Sequence, residues 1–132
     1  MQRLLVTVIA GVVVLITAAF IYAFSYQRSL QRDAARLDAI RQAEVAFQKV
    51  YLQSGSYQAV AKDGCGTVGA ELSSCNFSSV SVDASDFRDP GRSRMTITNI
   101  PNQDGYEVTF TLGRKYGNLA KGVHTLTEQG VQ

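Results

Sequence analysis

Uncharged and mostly hydrophobic residues fill the first part of the chain, from Leu4 to Tyr26. No charged residue lies between Arg3 and Arg28. A helix of this run is about 35 Å long at about 1.5 Å per residue, and the hydrocarbon core of a bilayer is about 30 Å thick. The run therefore predicts one transmembrane helix over residues 1–27, because a lone span in lipid must satisfy its backbone hydrogen bonds internally. A cleaved signal peptide is the alternative, but its apolar region is usually about 7–15 residues long.

The predicted membrane helix is apolar on every face, and aromatic residues gather at its far end. Such aromatic residues suit the interface between lipid and water. Gly11 offers close approach to a second helix. The residues expected to contact lipid or neighbouring helices are Leu4, Val8, Gly11, Val12, Leu15, Ala19 and Tyr22.

After the apolar run, the hydrophobic residues become periodic. Between Arg28 and Gln53 there is no proline or glycine, and apolar residues recur at spacings of three, four and seven, with Glu44 as the one interruption. This pattern predicts an amphipathic helix over residues 28–54, and Gly55 suits its left-handed C-terminal cap. The apolar stripe consists of Leu30, Ala34, Leu37, Ile40, Phe47 and Tyr51. The charged residues are expected on the solvated face, and they are Arg28, Arg32, Asp33, Arg36, Asp38, Arg41 and Lys49.

Turn residues and then short alternating segments follow the helix. Residues 55–78 have the composition of a loop. The clearest strand is Tyr106–Leu112, in which Val108, Phe110 and Leu112 face one way and polar residues face the other. Strands are expected at Ser79–Val82, Met95–Thr98, Tyr106–Leu112 and Val123–Thr127, with Glu128–Gln132 as a tail.

Together these elements predict an α+β fold built on one long N-terminal helix with a membrane half and an amphipathic half. The amphipathic half is expected to pack on a small antiparallel sheet of three or four strands within residues 79–132. The side chains expected at this contact are Leu37, Ile40, Phe47, Tyr51, Val108, Phe110 and Leu112. About 105 residues follow the membrane helix, which suffices for one small domain, residues 28–132.

The charge of the chain is nearly balanced, with 13 lysines and arginines against 11 aspartates and glutamates. A nucleic-acid-binding domain would carry a strong basic excess, so the balance argues against nucleic acid as a partner. Three loop acids, Asp83, Asp86 and Asp89, lack the regular oxygen-ligand spacing of a calcium site, and we expect them to be solvated turn residues. Gly113–Gly117 lacks the spacing of a phosphate-binding loop and is expected to be a basic hairpin turn.

No sequence motif indicates an enzyme. The nucleophile motif Gly-x-Ser-x-Gly, the zinc motif His-Glu-x-x-His and the phosphate-binding loop all fail to occur. The single histidine, His124, lies in a threonine-rich strand without a partner motif for acid–base chemistry. We therefore expect no catalytic residue, no metal or cofactor and no small-molecule substrate.

Two cysteines, Cys65 and Cys75, lie in the predicted loop. They could form a disulfide, half of a metal site or two free thiols, and the absence of Cys-x-x-Cys weakens the metal alternative. A disulfide across so short a loop would stabilise the fold by about 2–3 kcal/mol and would indicate an oxidising compartment. The positive-inside rule argues for the opposite orientation, because four arginines closely follow the span. We favour the disulfide, and expect a single-pass protein of the cytoplasmic membrane with its N-terminus inside and its domain outside.

The order of these elements resembles that of type IV pilin-like proteins, which comprise pilins, minor pilins and type II secretion pseudopilins. The similarity covers nearly the whole chain. Its matching segments are Arg36–Ala43 in the helix, Phe47–Tyr57 at the helix exit, the Asp89-Pro90 turn and Gly105–Val108 in a strand. The resemblance implies a structural subunit whose apolar helix packs on other pilin-like subunits, in a homo- or hetero-oligomeric filament at the cell surface or in secretion.

The beginning of the chain departs from that family. Pilins carry a basic leader and a Gly-Phe cleavage junction, followed by an early glutamate, and Arg3–Val8 shows no such junction. No acidic residue lies between Leu4 and Tyr26, so the charge pair that this glutamate forms with a neighbouring pilin subunit is missing. The alternative expectation is a permanently anchored extracytoplasmic module that binds other proteins without polymerising.

Overall fold

A computed structural model of the chain describes residues 2–91 and 93–132, except for the side chains of residues 2–5 and 63. One helix, α1, runs through Gln2–Ser54, which confirms the single long N-terminal helix. The chain divides into two compact units, the first ending at Gln31 and the second comprising Arg32–Gln132. The later half of α1 therefore folds with the second unit.

The second unit contains a four-stranded antiparallel sheet, which confirms the predicted α+β class. Each strand pairs with the next one in the sequence, so the order across the sheet is the order along the chain. Val108 lies opposite Leu126 in the central pair, and both side chains are buried. The strands are β1 Thr96–Asn99, β2 Glu107–Leu112, β3 Gly122–Thr127 and β4 Gly130–Val131.

The helix α1 ends where the sequence predicts. Gly55 has a φ of +68°, and its N–H donates to the carbonyl oxygen of Tyr51 at 2.7 Å. This left-handed cap reverses the chain after α1. The segment beyond it folds into single turns, which are a helix α2 at Gln58–Val60, a π-helical turn at Ala61–Cys65 and 3₁₀ turns at Leu72–Ser74, Ser78–Val80 and Ala84–Phe87.

The hydrophobic core lies between the later half of α1 and the sheet. Phe47 is fully buried and stacks on Tyr106, with the ring centroids 3.8 Å apart. Phe77 meets Phe47 edge-on at 5.1 Å, and such aromatic pairs contribute about 0.5–1.5 kcal/mol beyond their buried area. The buried members of the expected helix–sheet contact are Leu37, Ile40, Phe47, Val108, Phe110 and Leu112.

Tyr51 was expected in this core, and that prediction is wrong. Its side chain is 44% exposed, whereas Val50 beside it is buried. The helix ends three residues later, and the returning chain brings Tyr57 over Phe47 instead, with ring centroids 6.3 Å apart. Tyr51 then stacks on the outer side of Tyr57 at 5.0 Å.

Two predictions about the strands are also wrong. Ser79–Val82 was expected to be extended, but Ser81 has a left-handed φ of 55° after a 3₁₀ turn, so the chain reverses there. Glu128–Gln132 was expected to be a tail, but Gly130 and Val131 form β4 against β3. A strand of two residues is too short to show an alternating pattern.

The outer edge of β1 is covered by the segment that precedes it. Gly69 donates its N–H to the carbonyl oxygen of Ile97 at 2.8 Å, and Ile97 donates to Ala70 at 2.8 Å. Leu72 continues the pairing by donating to Met95 at 2.8 Å. The pairing satisfies backbone N–H and C=O groups of β1 that would otherwise be open to strands of other chains.

Candidate functional site

The first half of α1 presents apolar side chains to its surroundings on all sides. Among the described residues this is the one helix long and apolar enough to cross a membrane, and none of its most apolar window is buried within the chain. Leu15, for example, is 72% exposed. A contiguous apolar surface of this kind marks a membrane or protein contact, because water does not favour it. A helix from the core of the chain itself is thereby excluded for this segment.

The residues predicted for the membrane helix lie on this exposed surface. Leu4 belongs to α1, but its side chain lies outside the described residues. A Cβ placed on Gly11 meets no heavy atom within 4 Å, so the backbone there is open to close approach by another helix. The exposed predicted residues are Val8, Gly11, Val12, Leu15, Ala19 and Tyr22.

Aromatic residues end the apolar surface and a cation follows them. Phe20, Tyr22 and Phe24 are exposed. The guanidinium carbon of Arg28 lies 4.4 Å from the centroid of the Phe24 ring, which is a cation–π contact. The order of aliphatic, aromatic and cationic residues matches the order of hydrocarbon, interface and headgroups in a bilayer.

A buried ionic cluster joins α1 to the rest of the second unit. Arg36 is 4% exposed, and its Nε and Nη2 donate to the two carboxylate oxygens of Asp89 at 2.5 and 2.9 Å. Its Nη1 donates to Asp33 Oδ1 at 2.8 Å and to the carbonyl oxygen of Thr111 at 2.7 Å. The hydrogen bond with Asp89 is the largest cause that raises the pKa of Arg36, although desolvation opposes it. The guanidinium is therefore charged at physiological pH.

Asp33 completes this cluster, and we call Asp33, Arg36 and Asp89 the ionic clamp. Asp33 is 3% exposed and accepts the backbone N–H groups of Gly113 at 3.1 Å and Arg114 at 3.0 Å. Its carboxylate thus fixes the start of the β2–β3 connection against α1. Because the charges are buried, losing Arg36 would leave two carboxylates without their cation, and losing Asp89 would leave two guanidinium N–H donors without their charged acceptor.

Asp33 and Arg36 were expected on the solvated face of the helix, and that prediction is wrong because both are buried. Asp33 and Arg36 lie four residues before Leu37 and Ile40, respectively, so they share the core-facing side of the helix. That spacing is the signal that could have identified them. Asp89 was expected to be a solvated turn residue, and it is instead bound to Arg36.

The two cysteines form a disulfide, and both are fully buried. Gly64 precedes it with a φ of +102°, and a Cβ there would overlap the carbonyl oxygen of Ser74. Glycine is therefore required at this position. The disulfide and this close approach hold the segment that covers the edge of β1.

His124 and Tyr106 are two further residues whose polar groups lie among structural contacts. The ring nitrogens of His124 lie 2.8 Å from the carbonyl oxygen of Ala120 and 3.2 Å from that of Gln132, so the ring bridges a loop and the C-terminal strand. The hydroxyl of Tyr106 is buried with no hydrogen-bond partner among the described residues. Burial is the main cause that raises the pKa of Tyr106, and the nearby acids, including Glu44, add to it.

Comparison of the chain with protein-family models, with curated proteins and with solved structures finds no match.

Proposed function

We propose that the chain is a pilin-like structural subunit, anchored in a membrane and assembling with other such subunits through the apolar half of α1. The observation that carries the proposal is the single helix, whose first half exposes apolar side chains and whose second half packs on an antiparallel sheet. When such a helix leaves lipid, it keeps its apolar surface from water only against other apolar helices. Copies of the chain, or relatives with the same helix, offer that surface.

The proposed location of the second unit is outside the cytoplasm. The Cys65–Cys75 disulfide supports this location, because structural disulfides persist in oxidising compartments. The N-terminal end of α1 would then lie on the cytoplasmic side. Free thiols in protein taken from its native membrane would contradict this orientation.

Anchorage is tested by placing a charge in the middle of the apolar surface. Val13→Glu should reduce retention in the membrane fraction after alkaline extraction, because a charged residue at the centre of a span costs about 2.5–3.5 kcal/mol on insertion scales. Gln48→Glu is the matched control, since it adds the same charge at an exposed position in the later half of α1. Equal retention of the two variants would contradict the anchor.

Assembly is tested separately at Gly11. Gly11→Ile places a branched side chain where the backbone is open, and should reduce cross-linked oligomers in the membrane without reducing membrane retention. Val14→Ile is the control, because it enlarges a side chain that already projects from α1. Unchanged oligomers in Gly11→Ile would count against assembly through this face.

A second candidate function is a permanently anchored module that binds other proteins without polymerising. The observation that favours it is the absence of any acidic residue from Leu4 to Tyr26, which removes the charge pair expected between neighbouring pilin-like subunits. Membrane retention of the wild-type chain as a monomer, with no cross-linked oligomer, would select this alternative.

A further inference from the structure

A groove of about 550 Å³ lies on the second unit, between the later half of α1 and residues 81–86. Its volume is within the range of about 300–1,000 Å³ that ligand sites occupy. The apolar part of its lining comes from Val45, Ala46 and Val82. The groove is therefore large enough to hold a short segment of another molecule.

The two sides of the groove carry charges of opposite sign. Arg41 and Lys49 line it from α1. Asp83 and Asp86 line it from the facing segment. Among the residues that the structure describes, none of these four side chains forms an ion pair. Because the facing charges do not pair with one another, an occupant between them can pair with both.

The segment that faces α1 has a fixed shape. Val82 forms an antiparallel bridge with Phe77, and Phe87 is buried against the Phe77 ring with the centroids 5.2 Å apart. The backbone N–H of Ser85 donates to Asp83 Oδ1 at 2.8 Å, which lowers the pKa of Asp83 and keeps its carboxylate ionised at neutral pH. A preformed site of this kind loses little conformational entropy when it binds.

The spacing of the residues on α1 matches that of an extended polypeptide. Arg41, Val45 and Lys49 follow one another at intervals of four residues, so they share a face of the helix. Each interval corresponds to about 6 Å of helix. Alternate residues of a strand point the same way and are about 6.7 Å apart. The first, third and fifth residues of a strand along α1 therefore come opposite these three side chains.

The acidic side of the groove fits the same strand. The second and fourth residues of a strand point away from the first, third and fifth, and so toward Asp83 and Asp86. Asp83 is the N-cap of the 3₁₀ turn Ala84–Phe87, and Asp86 lies within that turn. Three residues of 3₁₀ helix rise about 6 Å, which is close to the spacing of alternate strand residues.

We infer that the groove binds an extended segment of another protein in which the order of residues is acidic, basic, small apolar, basic and acidic. The two acidic residues pair with Arg41 and Lys49, and the central residue lies on Val45. The two basic residues pair with Asp83 and Asp86. The 132 residues of the chain contain no segment with this order, so a second copy does not supply it. Both sides of the groove belong to the second unit, so the inference does not depend on the proposed membrane anchor.

Two synthetic peptides of identical composition test this inference. The matching peptide is Glu-Lys-Ala-Lys-Glu and the exchanged peptide is Lys-Glu-Ala-Glu-Lys. Both have an amidated C-terminus and a neutral fluorescent label on an N-terminal glycine spacer, so neither carries a net charge. Binding to the full chain in non-ionic detergent is measured by fluorescence anisotropy at low salt.

The matching peptide should bind at least about tenfold more tightly than the exchanged peptide, because an exposed ion pair strengthens binding by up to about fivefold and four pairs are at stake. The exchanged peptide does not recover these pairs by turning over. Its acidic residues would then be about 6.7 Å apart, opposite two cations that are about 12 Å apart along α1.

A charge-neutral pair of substitutions locates the binding. Lys49→Gln with Asp86→Asn removes one charge from each side of the groove and should weaken the matching peptide by about tenfold, since two pairs are lost. Lys121→Gln with Asp104→Asn is the matched control, because it makes the same changes at exposed positions that do not line the groove. Near-ultraviolet circular dichroism of both variants should equal that of the wild type, since all four changed residues are exposed.

Four outcomes would overturn the inference. The wild-type chain could bind neither peptide at millimolar concentration, or it could bind both equally, so that the order of charges is not read. Equal weakening by the groove variant and its control would place the binding elsewhere. Loss of cross-linked oligomers in Lys49→Gln with Asp86→Asn, without binding of either peptide to the wild type, would assign the groove to a contact with a second copy.

Discussion

The ionic clamp allows the contact between α1 and the sheet to be tested by a single conservative change. Asp89→Asn keeps the shape of the side chain and one oxygen acceptor, but it removes the charge opposite Arg36. The guanidinium would then keep the Asp33 carboxylate as its charged acceptor, with the carbonyl oxygen of Thr111 and the introduced amide oxygen as neutral acceptors. Removing one partner of a buried ion pair costs about 3–5 kcal/mol, and because asparagine retains one hydrogen bond we expect about 3 kcal/mol.

The matched control is Asp38→Asn, which makes the same chemical change at an exposed position of α1. The Asp38 carboxylate accepts one hydrogen bond from Gln42 at 2.8 Å, and such exposed contacts contribute less than about 1 kcal/mol. The assay is urea unfolding of the full chain in detergent, followed by near-ultraviolet circular dichroism. That signal reports the packed tyrosines of the second unit, whereas far-ultraviolet dichroism would be dominated by helix that detergent preserves.

A second arm replaces the buried charges by apolar side chains. Arg36→Met with Asp89→Leu should be more stable than Arg36→Met alone, because the single variant leaves the carboxylates of both Asp33 and Asp89 buried without their cation, whereas the double variant leaves one of them. Asp33 retains its bonds from Gly113 and Arg114 in that variant. A difference of less than about 1 kcal/mol between Asp89→Asn and Asp38→Asn would refute the role assigned to the clamp.

The remaining predictions concern the core and the disulfide. Phe47→Ala should reduce the free energy of unfolding by about 3 kcal/mol or more, and Tyr51→Ala by about 1 kcal/mol, in the same urea assay; equal losses would contradict their different burial. Tyr106→Phe should cost less than about 1 kcal/mol at neutral pH, because the hydroxyl has no partner among the described residues. Since burial raises the pKa of Tyr106 in the folded chain, wild-type stability should be full below the usual tyrosine pKa of about 10 and fall above it. Tyr106→Phe should lose less stability at high pH, and equal alkaline loss would contradict this. Cys65→Ser with Cys75→Ser should cost about 2–3 kcal/mol, with a change near zero as the contrary result.

Long periodic segments could be predicted from the sequence because each carries its structural signal locally. The whole of α1 and its glycine cap follow from an apolar run, a helical stripe and Gly55. Strand β2 follows from strict alternation, since Val108, Phe110 and Leu112 all reach the core. In these elements, the side chains that form the local hydrophobic pattern are also the ones that pack in the folded protein.

The parts that the sequence could not predict depend on distant contacts. Arg36 meets Asp89 across 53 positions, and Asp33 meets Arg114 across 81, so no local window contains both partners. Tyr51 continues the helical stripe, but Tyr57 packs on Phe47 in its place. Tyr57 reaches that position because the chain turns back after α1, which the helical stripe does not reveal. Gly113–Gly117 was expected to be a basic hairpin turn, whereas its backbone hydrogen bonds to Asp33 of α1 became visible only in the fold.

The central claim is that the apolar surface of α1 is covered by lipid or by other apolar helices while the second unit lies outside the cytoplasm. The most direct measurement is labelling with a membrane-impermeant maleimide, applied to intact cells that express Val13→Cys or Gln48→Cys. The native cysteines are joined as a disulfide, so the introduced thiol is the one that reacts. We expect Gln48→Cys to be labelled on intact cells, and Val13→Cys to be labelled only after denaturing solubilisation. Rapid labelling of Val13→Cys on intact cells, or protection of Gln48→Cys until the cells are broken, would contradict the account.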